Sequence, residues 1–114
     1  MTNYIWITTQ KVMFHKYPDA PDEVNFLRDR HRHIFKFKVW IEVQHDNRDV
    51  EFFMFKKDVN AFIEQLNTLL GINKSCEMIS DYLHNQIKEK YHDRKIKISV
   101  SEDGENGSEK TYER

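Results

Sequence analysis

Six histidines are spread through the chain, and two of them, His31 and His33, stand one residue apart at the head of the run "HRHIFKFKVWIEV". Alternate side chains of an extended chain point the same way, so these imidazoles share a face at a spacing of roughly 6 to 7 Å. Two neutral imidazoles so placed can share one metal ion. His15, at the end of the first β-like segment, is positioned to supply a third ligand. Three histidines leave one position of a tetrahedral ion open to water or substrate, as catalytic zinc sites do. A bare H-x-H is also what satisfied or surface histidines produce, and spacing alone leaves both readings open. His45, His84 and His92 fall in a turn and on a helix or its end, and they read as solvated.

Glu102 continues the apolar parity of Ile96, Ile98 and Val100. A carboxylate on such a face needs donors, and a planar ligand with an amidine-like edge offers two parallel N–H groups. A strand end already in solvent accounts for it equally well. The stretch "RDRHRHIFKFK" is basic with interleaved aromatics, as a nucleic-acid groove is. Its alternation gives a simpler reading, a charged solvent face. A net charge of -1 and a pI of about 6.6 provide no global drive toward nucleic acid or an anionic membrane.

The elements that must hold these residues follow from pattern. Residues 4–14 are rich in β-branched and aromatic types and run into "HKYPDAPDE", which holds both prolines, so a strand leads into an irregular loop. Glu23 to Asp29 suits a helical turn. His31 to Val43 alternates as a half-buried strand. "HDNRD" then reads as a turn, and "VEFFMF" as the second arm of a hairpin. Asp58 can cap a helix carrying Val59, Phe62, Ile63, Leu66, Leu69 and Leu70, with Gly71 as its stop. Ser75 can cap the next, with Met78, Ile79, Tyr82, Leu83 and Ile87 facing inward. "RKIKISVSE" alternates again. The expected fold class is α+β, a four-stranded antiparallel sheet with two helices packed on one face. Residues 1–103 form the domain, and the polar residues 104–114 form a flexible C-terminal tail.

A single cysteine, Cys76, builds no intramolecular disulfide framework. The N-terminus lacks the pattern of a secretory signal, and no apolar run reaches the roughly 20 residues of a membrane span. The expected location is cytoplasmic. One domain of 114 residues offers little room for a buried active site within one subunit, which points to an oligomer.

Together, "FHKYPDAP", "HRH", the helix-opening "SCE" and the late "SVSED" resemble the tunnelling-fold family, most closely its 6-pyruvoyl-tetrahydropterin and 6-carboxy-tetrahydropterin synthases. The resemblance covers nearly the whole chain. It implies zinc held by His15, His31 and His33, and a pterin or purine-like ring met by Ser75 and Cys76 and gripped by Glu102. It also implies a zinc-dependent carbon–oxygen lyase, and a homo-oligomer, trimer or hexamer, that closes the sheet into a barrel. The chain departs from the family at the groups that move protons. Leu27 stands where the synthases carry a cysteine, Phe62 and Ile63 where they carry an aspartate–histidine pair, Arg32 at the glycine between the zinc histidines, and Met54 near a further aspartate. Glu23 and Asp29 are the candidate replacements for the acid and base, with Cys76 a third. The alternative is a non-catalytic module of the same fold that binds a pterin or purine-like ligand.

Overall fold

The β-branched and aromatic residues at the start of the chain form β1, Asn3–His15, which pairs antiparallel with β2, His31–Val43. The structure is a computed structural model, and it describes residues 1–69 and 73–114. After β2 come α1, Phe52–Leu69, and α2, Cys76–Lys90. Two short strands follow, β3, Ile96–Glu102, and β4, Asn106–Tyr112. The sheet order is β1-β2-β3-β4, every neighbour antiparallel, so the α+β class and the four-stranded antiparallel sheet are as expected. Both helices lie on one face, α1 against β1 and α2 against β3 and β4. Among the described residues no helix is long and apolar enough to cross a membrane.

The odd-numbered residues of β2 do face the helices. Phe35, Phe37, Val39 and Ile41 are buried there with Ile96, Ile98 and Val100 of β3. The register carries this face onto β1, where Met13 pairs with His33 and His15 with His31.

Two elements differ from expectation. "VEFFMF" is not a strand: Phe52 to Phe55 open α1, and the sheet's fourth strand comes from elsewhere. The Glu51 side chain accepts from the Met54 amide at 2.7 Å and its carbonyl from the Phe55 amide at 3.0 Å, so Glu51 caps the helix. Val50, Phe55, Val59, Ile63 and Leu66 then form one buried stripe, leaving Phe52, Phe53 and Met54 exposed. Short apolar runs fit either period, and here the cap decides. Asp58 is consequently interior to α1 rather than its cap, and it ties the helix to Lys90 at 3.0 Å and to the Tyr91 hydroxyl at 2.6 Å. The expected stop at Gly71, with Leu70, lies outside the described residues.

The second difference is at the C-terminus, where the residues expected as a flexible tail form β4. Asp103 and Gly104 both have positive φ, 60° and 72°, the left-handed geometry of a tight hairpin turn. A side chain at Gly107 would meet the Val100 carbonyl oxygen at 2.3 Å, so only glycine lets β4 approach β3 here. Polar contacts pin the strand to α2. Ser80, fully buried, donates to the Tyr112 hydroxyl at 2.8 Å, and that hydroxyl donates to Asp81 at 2.6 Å. His84 stacks on the Tyr112 ring with centroids 3.9 Å apart. A strand held this way carries little apolar alternation to announce it.

Ser75 caps α2 as expected, accepting from the Met78 amide at 3.2 Å. The helix buries Cys76, Ile79, Ser80, Leu83 and Ile87. Met78, expected inward, lies beside that stripe and is exposed.

Candidate metal centre

One end of the helix-covered face gathers four side chains. His15 and His31 are cross-strand partners, His33 follows two residues along β2, and Glu102 pairs with Phe35 at the end of β3. Each of His15, His31, His33 and Glu102 offers one ligand atom, and the four atoms lie within 4.8 Å of one another. The buried ring of Phe35 packs edge-on against His15 and His33, with centroids 5.2 and 6.0 Å away.

Each imidazole is oriented through Nδ1. His15 Nδ1 lies 3.3 Å from the Lys74 carbonyl oxygen, His31 Nδ1 lies 2.8 Å from that of Asp29, and His33 Nδ1 lies 2.7 Å from Asp103 Oδ2. Carbonyl and carboxylate oxygens only accept, so Nδ1 carries the proton in all three rings and Nε2 of each neutral imidazole is a lone pair. Such partners are what fix a metal-binding histidine in one tautomer. His15 Nε2 and His33 Nε2 are buried and, among the described residues, have no hydrogen-bond partner. Converging acceptors without a donor fit a cation, and three imidazoles with a carboxylate are a suitable donor set for a divalent metal.

Burial is the largest influence on His15 and lowers its pKa from 6.5; the His31 and His33 charges act the same way, against the Lys74 carbonyl and Glu102. The Asp103 carboxyl is held below its usual range, chiefly by the Ile34 amide and then by His33.

The cluster opens into a cavity of about 770 Å³ lined by His15, His31, Glu102, Ser75, Cys76 and Leu27, among others. The loop after β1 is folded over it by the Tyr17 amide donating to the Leu27 carbonyl at 2.7 Å and by Arg28 donating to the Ala20 carbonyl at 2.9 Å. Ser75 accepts from a helix amide and lines the cavity, and among the described residues its O–H donates to no side chain. Cys76 is a buried thiol, pushed up to about 12 first by burial and then by Glu102 and Glu77. It stays protonated at neutral pH and is no nucleophile there.

The metal candidates from sequence, His15, His31 and His33, are thus brought together, and Glu102, expected to meet a ring, stands among them. Ser75 and Cys76 line the adjoining cavity. Glu23 and Asp29 are exposed and outside its lining, and Asp29 contributes only its backbone carbonyl, to His31. Asp103 was missed. Its signal was the Asp-Gly dipeptide directly after Glu102, a hairpin turn that returns the carboxylate to β2. Of the departures noted above, Leu27 lines the cavity, Ile63 is in the core, Phe62 packs against the core, and Arg32 and Met54 are exposed. No protein-family model matches this chain, and no curated protein matches it.

Proposed function

We propose that this chain is a divergent, zinc-dependent protein of the pterin synthase type, acting on a pterin or deazapurine-like ring. The supporting observation is that three oriented imidazoles converge with Glu102, and that two of them, His15 and His31, line a cavity whose other sides include Glu102 and the opening of α2. Zinc held by His15, His31 and His33 would supply Lewis-acid polarisation of a substrate oxygen, as carbon–oxygen lyase chemistry needs. Around it, Ser75 donates to the ring, Glu102 accepts from the ring's paired N–H groups, and the 16–30 loop limits water. The working form is a homo-oligomer, trimer or hexamer. Both β1 and β4 are open sheet edges, the kind of edge that barrel closure between subunits removes.

A second reading, a binding module without turnover, is favoured by the lack of an evident proton relay. Leu27 is apolar, the Cys76 thiol stays protonated, and neither Glu23 nor Asp29 lines the cavity. The test is to screen pterins and deazapurines by thermal shift against zinc-loaded protein, then to follow each hit by chromatography. Conversion that depends on zinc supports the enzyme. A ring that binds and is recovered unchanged supports the module. If no ring shifts the melting temperature, the shared pocket is wrong.

A further inference from the structure

Among the described residues, the Glu102 carboxylate meets no side-chain donor outside the histidine cluster. Glu102 Oε2 lies 2.8 Å from His15 Nε2 and 3.7 Å from His33 Nε2, and in neutral imidazoles that donate from Nδ1 both of those nitrogens are lone pairs. Two acceptors that close repel each other unless a proton or a cation stands between them. One proton satisfies one pair. A cation satisfies all four converging acceptors at once, and their mutual spacing of at most 4.8 Å fits donors arranged around a single ion.

We propose that Glu102 is a fourth protein ligand to the cation while the cavity is empty, and that a ring entering the cavity draws it away. This rests on the metal-and-ring reading above and changes what the site does. With Glu102 engaged, His15, His31, His33 and Glu102 would supply a full tetrahedral set of protein ligands. A paired N–H edge takes both carboxylate oxygens in two parallel hydrogen bonds, so the oxygen facing the histidines divides its lone pairs between two partners and its hold on the cation weakens. Binding of the ring would therefore leave the cation to His15, His31 and His33, free to polarise a substrate oxygen. Linkage requires the converse effect: the cation weakens a ring that brings no metal donor of its own by the same factor as the ring weakens the cation. Glu102 suits the exchange because it is shared by both places, within 4 Å of two histidines and in the lining of the cavity.

The experiment measures zinc and cobalt(II) affinity by chelator competition for wild type, Glu102→Gln and Glu102→Ala. Loss of the ligand should weaken the cation by about 10-fold or more, at least what outer-shell changes cost. The melting temperature of the metal-free variants should be unchanged or higher, because a repulsion is relieved; a merely structural glutamate would lower it. The visible spectrum of the cobalt protein should change with the substitution. Affinities within about twofold of wild type, with an unchanged spectrum, overturn the proposal. Adding pterin unsubstituted at the ring's side-chain position should shift the wild-type cobalt spectrum and lower its cobalt affinity, and should do neither in Glu102→Gln. Pterin that binds with no effect on either overturns the exchange. Pterin that does not bind overturns the ring reading and the exchange, while the chelator titration still decides the fourth ligand. Wild type that takes up no cation overturns the metal reading as well.

Discussion

Asp103 holds His33 by a 2.7 Å hydrogen bond from Nδ1 to Oδ2, while its Oδ1 takes the Ile34 amide at 2.8 Å. The turn makes this possible, because the positive φ of Asp103 swings its carboxylate back over β2. Such a carboxylate fixes the tautomer and the direction of a metal-binding imidazole. Asp103→Ala should therefore lower zinc affinity by about 10- to 100-fold in a chelator competition titration. Asp103→Asn should lower it less, since asparagine tolerates the same backbone and keeps one acceptor.

Metal content gives the most direct check on the centre. Carefully prepared protein should carry about one zinc-like ion per chain, because three imidazoles suit that metal, and His33→Ala should abolish the binding. Elemental analysis beside protein quantification reads this. Absence of metal, with added zinc changing neither stability nor spectra, would count against the site.

Cys76 should be slow toward thiol reagents in the native protein. Its thiol is pushed up to about 12 by burial, then by Glu102 and Glu77, so very little thiolate is present near pH 8. Iodoacetamide labelling followed by mass spectrometry should be slow in buffer and fast in denaturant. Fast native labelling would mean that the opening of α2 does not keep the Cys76 thiol buried.

The terminal strand makes a stability prediction. Tyr112→Phe removes the acceptor for buried Ser80 and a hydrogen bond to Asp81, so it should cost about 1 to 3 kcal/mol in urea unfolding. Cleavage between β3 and β4 should be more damaging still. A Tyr112→Phe protein as stable as wild type would show that β4 contributes little.

Acid should destabilise the fold in a defined window. Glu42 is held at about 2 against an ordinary 4.5, first by hydrogen bonds from Arg114 and then by the Lys95 amide; Asp49 is held at about 2 against 3.8, first by Arg94. Folded values below the unfolded ones mean that these groups stabilise the fold fully above about pH 4.5, and that this contribution is lost as pH falls toward 2. Urea midpoints measured from pH 6 to pH 2 should fall across that window. Glu42→Gln should flatten the fall and start from a lower midpoint near neutrality.

The sequence by itself determined which residues share a face. Alternation is a local property of an extended chain, so the inward direction of His31, His33 and Glu102 was legible before any strand was paired, as was the cap at Ser75. Local pattern also placed His15 at a strand end. Pairing and capping were decided by the tertiary structure. Register sets His15 opposite His31 and brings Glu102 from β3 to both. The Glu51 cap turns "VEFFMF" from strand to helix, and the Ser80–Tyr112–Asp81 chain makes a strand of a polar tail. The Asp-Gly dipeptide marks a turn at Asp103, but which ring its carboxylate holds was decided only when that turn closed against β2. Each of these depends on partners far along the chain, and a hydrogen bond between residues 70 positions apart, such as Asp103 to His33, leaves no periodic trace in either neighbourhood.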